Sequence, residues 1–297
     1  MGKNNISFYS RIKSYKNFLG KYMGFFILFQ KRYRNYLGVI LKVLRRQYPI
    51  SAVLKTGEHI IFYGYDELYC NLRDLDCDFK NNLVYVDGLQ FYGGVSNADS
   101  IISFIEKEYD FLPVKDRVVI DIGANIGDSS IYFALKGAKR VIGIEPDPQV
   151  YDFAYKNIEL NGFSDRIELI RGAMSNIDAN IKDLNKPSLI TLKGIFEKCT
   201  MIPSILKIDC EGCEYDVILS ASCATLLNFT HIQIEYHQGC ENLKKKLEAC
   251  GFRVKITEPS YFNSPFCNSS INRLVSSDGN VTRINKTYNG MLYASRP

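Results

Sequence analysis

The spacing of apolar and polar positions changes character along the chain. Over residues 1–47 apolar and aromatic side chains recur at helical spacing. Phe8, Ile12, Tyr15, Leu19, Tyr22, Phe26 and Phe29 share one broad face, with Arg11, Lys13, Lys16 and Lys21 largely off it. Leu37, Ile40, Leu41 and Leu44 form a second stripe that ends at Arg45-Arg46, the basic end a helix C-terminus favours. Ile50–Tyr63 then predicts a hairpin turning at Lys55–Glu58, and Leu83–Tyr92 a second one turning at Asp87-Gly88. Asn97–Tyr109 predicts a helix with Ile101, Ile102 and Ile105 inward, and Pro113 closes the region. The expected organisation is a basic helical arm and a β/α cap over residues 1–112, followed by a larger domain over 113–297.

From Val114 onward strands and helices alternate, the mark of a parallel α/β sheet. Short apolar runs at Val118–Ile120, Arg140–Ile144, Arg166–Arg171, Ile205–Asp209, His231–Glu235 and Phe252–Thr257 read as strands. Helices are expected at Pro148–Leu160, with Val150, Ala154 and Ile158 inward, at Thr191–Cys199, and at Glu241–Cys250, capped by Gly251. Residues 176–190 and Tyr261–Ser270 read as loops, the second over a pocket. Ile271–Ile284 suggests a hairpin turning at Asp278-Gly279, and Gly290–Ser295 a last strand.

The stretch Arg117–Asp128, RVVIDIGANIGD, organises the rest. A buried strand ends on Asp121; Gly123, Asn125 and Gly127 follow; a helix with Ile131, Ala134 and Leu135 begins. Strand, glycine turn and helix in that order place a ligand at the carboxyl end of the strand, where backbone can approach it and free N–H groups are offered. The next strand ends in Glu145, well placed to accept hydrogen bonds from both hydroxyls of a ribose. A nicotinamide dinucleotide shares that acid, but its fingerprint is G-x-G-x-x-G, whereas Gly123 and Gly127 form G-x-x-x-G. Asp121, directly before the loop, would repel a diphosphate and suits an amine or sulfonium. This favours S-adenosyl-L-methionine (SAM) over NAD.

VVIDIGANIGDSSIYFA, then VIGIEPDPQVYDFAYKNIELN, then LKIDCEGCEYDVI resemble the FkbM-type family of SAM-dependent methyltransferases. Three motifs in this order and spacing, across roughly Glu106–His237, make the resemblance specific. It implies a class I methyltransferase fold: a Rossmann-like three-layer sandwich with a seven-stranded, mostly parallel sheet whose last strand is antiparallel. It further implies a cap over one side of an acceptor pocket, the adenine near the end of the third strand at Ala173, and the methyl donor meeting Asp209-Cys210-Glu211-Gly212. The cofactor-binding set is then Asp121, Gly123, Asn125, Gly127, Glu145, Ala173 and Asp209. Implied acceptors are hydroxyls of sugars, glycans or polyketide-like products.

Methyl transfer from a sulfonium needs proximity, alignment and water exclusion more than a nucleophilic triad. For an alcohol acceptor, a base adds about 10²–10⁴-fold. The candidates are Asp209, Glu235 and His237, the last two spaced to share one side of the fifth strand with Tyr236 opposite. Glu211 and Glu214 sit where acids complement a helix N-terminus, which is the reading favoured for Glu214. Asp209 and Glu211 could hold a metal, but two carboxylates without a clear third ligand are weak evidence, so no metal ligands are assigned. A binder that keeps the nucleoside fold without catalysis would retain the same residues.

Charge refines this picture. The net charge is +5, yet residues 1–50 hold eleven Lys or Arg and no acid, leaving 26 bases against 32 acids elsewhere. The arm suits a membrane headgroup layer, the body of the protein or a second copy of the chain; no nucleic-acid module accompanies it. The nine cysteines suggest no disulfide framework, and Cys210 and Cys213 fall inside a motif explained otherwise. Reduced thiols, no signal peptide and no spanning segment lead to a cytoplasmic expectation, with contact at the membrane surface through residues 1–47.

Overall fold

The computed structural model describes residue 24, residues 26–176, 187–198, 204–257 and 296, and the strands Ser260–Tyr261, Arg273–Val275, Val281–Arg283 and Tyr288–Ser295. The aromatic stripe from Phe8 to Tyr22, the loop after Tyr261 and the turn at Asp278-Gly279 lie outside the described residues. Two compact units emerge. One takes the described residues up to Asp76 and those from Tyr261 to Lys286; the other takes Cys77–Ser260 and Thr287–Pro297.

In the first unit, residues 26–32 are helical and helix α1 spans Tyr36–Leu44. The hairpin expected after Ile50 is present as β1 (Ile50–Val53) against β2 (His59–Phe62), with Val53 opposite His59. Helix α2 (Tyr65–Leu72), which the sequence reading missed, closes a core of Phe29, Tyr33, Val39, Val43, Ile50, Phe62 and Leu68. Val39 and Val43 turn inward on α1, whereas Leu37, Leu41 and Leu44 stay 46–61% exposed.

The second unit is built on β6 (Val118–Ile122), β7 (Arg140–Glu145), β8 (Ile167–Met174), β10 (Ile205–Ile208), β11 (His231–Tyr236), β12 (Arg253–Ile256) and β16 (Tyr288–Ser295). Across the sheet they run β12-β16-β11-β10-β6-β7-β8, and β16 is antiparallel to both neighbours. This is the three-layer, Rossmann-like class I methyltransferase arrangement with its reversed last strand. Two short strands enlarge the sheet to nine: β9 (Ser188–Ile190) at one edge, inside the expected loop, and β13 (Ser260–Tyr261) against β16.

Alternate residues of β6 divide the layers. Val118, Ile120 and Ile122 join Val217, Ile218, Leu243 and Leu247, so the helices Glu214–Ser220 and Glu241–Ala249 cover that face. Asp121 points the other way, toward the helix Asp128–Leu135. The register then lays a row across that second face: Gly143, Asp121, Lys207 and Gln233 are successive lateral neighbours, with Asp121 and Lys207 one residue short of the ends of β6 and β10.

The hairpin β4 (Leu83–Val86) and β5 (Leu89–Tyr92), expected in an N-terminal cap, is fastened to the helix Pro148–Leu160. Buried Asn157 accepts from Tyr92 N–H at 2.7 Å and donates to the carbonyls of Tyr92 and Ile126. The helix after it is shorter than expected, Ala98–Ile105, and turns Phe104 inward while Ile105 is exposed. The expectation of reduced thiols is corrected: Cys210 pairs with Cys213 and Cys223 with Cys250. C-x-x-C spacing brings two sulfurs together in a tight turn, whereas the second pair joins segments 27 residues apart, which spacing could not show. No described helix is long and apolar enough to cross a membrane.

Candidate active site

The carboxyl ends of β8, β7, β6, β10 and β11 bring the expected residues to one sheet edge in strand order: Ala173, Glu145, the loop Gly123–Gly127, Asp209, then Glu235 and His237. Gly123 is the tightest point. It holds φ +77°, and a Cβ there would lie 1.6 Å from the Asp209 carbonyl oxygen. Its backbone is therefore pressed against the chain leaving β10, and glycine is required on both grounds. Gly127, at φ +85°, begins the helix over Ala154, whose Cα and carbonyl a Cβ would meet at 3.3 Å.

Asp121 is fully buried. Its Oδ2 accepts from Ser129 and Ser130 hydroxyls at 2.7 and 2.6 Å, and its Oδ1 lies 3.1 Å from Lys207 Nζ. Lys207, itself buried, donates to the Gly123 carbonyl at 2.7 Å. Burial alone would lower the lysine pKa, but Asp121, Asp209 and Asp128 outweigh it and hold the ammonium charged. Sequence reasoning missed Lys207, although a cation inside the apolar run ILKI is a signal. Asp128, the first residue of the helix, is pushed up to about 7 by burial, against Lys207 and with Asp121. Its Oδ1 has no hydrogen-bond partner among the described residues.

Glu145 accepts from Asn125 N–H at 3.0 Å through Oε2 and from Asp147 N–H at 2.9 Å through Oε1. Burial raises its pKa more than these two donors lower it. Each oxygen keeps a second lone pair. The Asn125 side chain is committed elsewhere, donating to Ser100 Oγ at 2.6 Å, so this residue shapes the loop through its backbone at φ +46°.

At the other end of the edge, His237 is 7% exposed along its side chain, and Nδ1 lies 3.0 Å from Glu214 Oε1. The same oxygen accepts His237 N–H, and Glu214 Oε2 accepts Gly212 N–H at 2.8 Å. Glu214 is fully buried. It does begin its helix, as its position suggested, but its carboxylate is committed to His237 and Gly212. Nε2 faces Glu211 Oε2 at 3.5 Å and Asp209 Oδ1 at 4.0 Å. Burial works against charge on this imidazole, but Glu214, Glu211 and Asp209 together push its pKa up to about 9. Glu235 is pushed up to about 8, by burial first and then by Asp209. Tyr236 lies opposite in the core, as expected.

Comparison with known proteins bears on the family. Residues 121–254 match the Methyltransferase FkbM domain. The ribosomal protein L11 methyltransferase of Tolumonas auensis is 29% identical over 156 residues, covering 46% of this chain and 52% of that protein. The Escherichia coli O8 protein of the same name is 35% identical over 97 residues, covering 33% of this chain and 32% of that one. Protein arginine N-methyltransferase 1 of Saccharomyces cerevisiae is 41% identical over 63 residues, 21% of this chain and 18% of that one. The chain thus spans about half or less of the length of these curated relatives. Residues 121–254, from the acid on β6 to β12, form a methyltransferase FkbM domain, and S-adenosyl-L-methionine is the methyl donor used by methyltransferases of this family.

Proposed function

We propose that this protein transfers the methyl group of SAM to a hydroxyl oxygen of a sugar, glycan or glycolipid-like acceptor. The single observation that carries the reading is the shared edge on which Glu145 and the Asp209–His237 group flank the Gly123 turn. Glu145 takes the ribose hydroxyls on its remaining lone pairs, and Ala173 borders the adenine. Asp121 positions rather than touches: through Ser129, Ser130 and Lys207 it fixes the turn that the nucleoside rests on. Asp209 faces the sulfonium and the acceptor. In the reaction the acceptor oxygen forms a bond to the methyl carbon as the carbon–sulfur bond breaks. The electron pair stays on sulfur, giving neutral S-adenosylhomocysteine, and the hydroxyl proton passes to Asp209. Without another cation beside them His237 and Glu235 hold protons near neutral pH, so they serve as donors that orient the acceptor.

The test is incubation with SAM carrying a labelled methyl group and a panel of glycans and glycolipids. Label recovered as a methyl ether, with one S-adenosylhomocysteine per methyl, is the expected result. Heat on titration with NAD and none with SAM would overturn the donor; SAM binding without product from any acceptor would favour a non-catalytic nucleoside binder.

A second reading concerns where the acceptor is met. Leu37, Leu41 and Leu44 form an exposed apolar stripe on α1, accompanied by Lys42, Arg45 and Arg46, a combination suited to an anionic lipid surface. Leu37→Asp with Leu41→Asp is expected to reduce co-sedimentation with phosphatidylserine vesicles at least fivefold. Unchanged co-sedimentation, or a stable dimer that the same variant dissociates, would replace lipid by a second copy of the chain.

A further inference from the structure

We infer that Asp209, Glu211 and His237 form a binding site for one divalent transition-metal ion of the Mn²⁺ or Zn²⁺ type. One donor atom from each lies within 4.8 Å of the other two. Around an ion with bonds of about 2.1 Å, adjacent donors sit roughly 3–3.5 Å apart. The observed separations of 3.5 and 4.0 Å from Nε2 therefore need a contraction of at most about half an ångström for Glu211 and about half to one for Asp209.

The histidine separates this group from an ordinary cluster of surface acids. Its side chain is more than nine-tenths buried. Nδ1 is occupied by Glu214, so in the neutral imidazole that binds an ion the proton belongs there, and the Nε2 lone pair exposed when the ion displaces the second proton points at Glu211 and Asp209. Among the described residues Nε2 makes no hydrogen bond. A carboxylate that fixes the far nitrogen of an imidazole is the usual support for a metal-binding histidine. Glu214 is itself held by two backbone N–H groups, from His237 and Gly212, so the orientation is built into the fold. Glu211 stands between the paired Cys210 and Cys213, which fixes the turn that offers its carboxylate.

Two carboxylates and one imidazole suit Mn²⁺ or Zn²⁺ better than Mg²⁺ or Ca²⁺, which take oxygen donors almost alone. Three protein ligands leave positions for water or an acceptor oxygen. The ion's presence stands apart from the methyl-transfer reading. Its use, lowering the pKa of a bound acceptor hydroxyl, rests on that reading.

The full chain, stripped with EDTA and dialysed, is titrated with Mn²⁺ and separately with Zn²⁺ by calorimetry. One saturable site is expected. Glu211→Gln and His237→Gln should each weaken it at least tenfold, and Glu214→Gln by about 10–100-fold. Should the variants misfold, pulsed EPR of Mn²⁺ on the unaltered protein reads the same question directly, through coupling to an imidazole nitrogen. Absence of saturable binding, absence of nitrogen coupling, or affinity unchanged in both Glu211→Gln and His237→Gln would overturn the site. SAM titration of the stripped protein runs alongside: its failure with metal binding intact would sink the methyl-transfer reading and leave the ion in place.

Discussion

At the scale of single residues, the edge of the sheet depends on close approach and on buried charge. Gly123 has no room for a methyl group against the Asp209 carbonyl and no cheap alternative backbone at φ +77°. Gly123→Ala should therefore separate the two loops, abolish SAM binding by calorimetry and lower the melting temperature; retention of parental SAM affinity would contradict the contact. Asp128 makes a different prediction. Its folded pKa, about 7, lies above the unfolded value of 3.8. The folded state therefore binds the proton more tightly, and the stability it confers is full below about pH 4 and lost as pH rises toward 7. Asp128→Asn should remove that loss, so its melting temperature relative to the parent rises between pH 5 and pH 8. The ceiling is roughly 4 kcal/mol. A difference that does not change over this range would show that Lys207 neutralises Asp128 throughout.

At the scale of elements, one side chain ties three pieces together. Asn157 joins the helix Pro148–Leu160 to β5 and to the turn after β6 by three hydrogen bonds. Asn157→Leu would leave buried backbone groups of Tyr92 and Ile126 unpaired, at a cost of about 1–3 kcal/mol each. The measurement is amide exchange at Tyr92, expected to accelerate before the central strands do. The sequence pattern gave these elements nearly to the residue: both early hairpins, the helix from Pro148 and the strand from His231. Period alone did not assign the hairpin β4–β5 to its partner, because a polar asparagine on an apolar helix face carries no address. It missed α2 too, whose eight residues span only about two turns, too short for a helical period to stand out.

At the scale of the whole molecule, two disulfides replace the expected free thiols. Alkylation before reduction should leave Cys210, Cys213, Cys223 and Cys250 unlabelled in peptide mass spectrometry, and reduction should expose all four. Removing the Cys223–Cys250 link should cost about 3 kcal/mol of stability. Full labelling without reductant would restore the reduced-thiol reading. Asp121, Gly123, Glu145 and Asp209 were legible as neighbours along one sheet edge because each is an acid or glycine at or just after the end of a β-branched run, where the apolar pattern breaks off. Lys207 and Glu214 were not placed in the site, since their meaning comes from neighbours 86 and 23 positions away.

What the sequence by itself determined is the alternation of strand and helix, the glycine turn and the acids that border it, because periodicity, backbone freedom and charge are local properties. What only the tertiary structure decided is which of those acids are buried supports and which partners each of them holds. Asp121 became a counter-ion to Lys207, Asn125 a staple to Ser100, and Glu214 the anchor of His237. Register across a parallel sheet sets those distances, and register is fixed by the packing of the whole core rather than by any single stretch of chain.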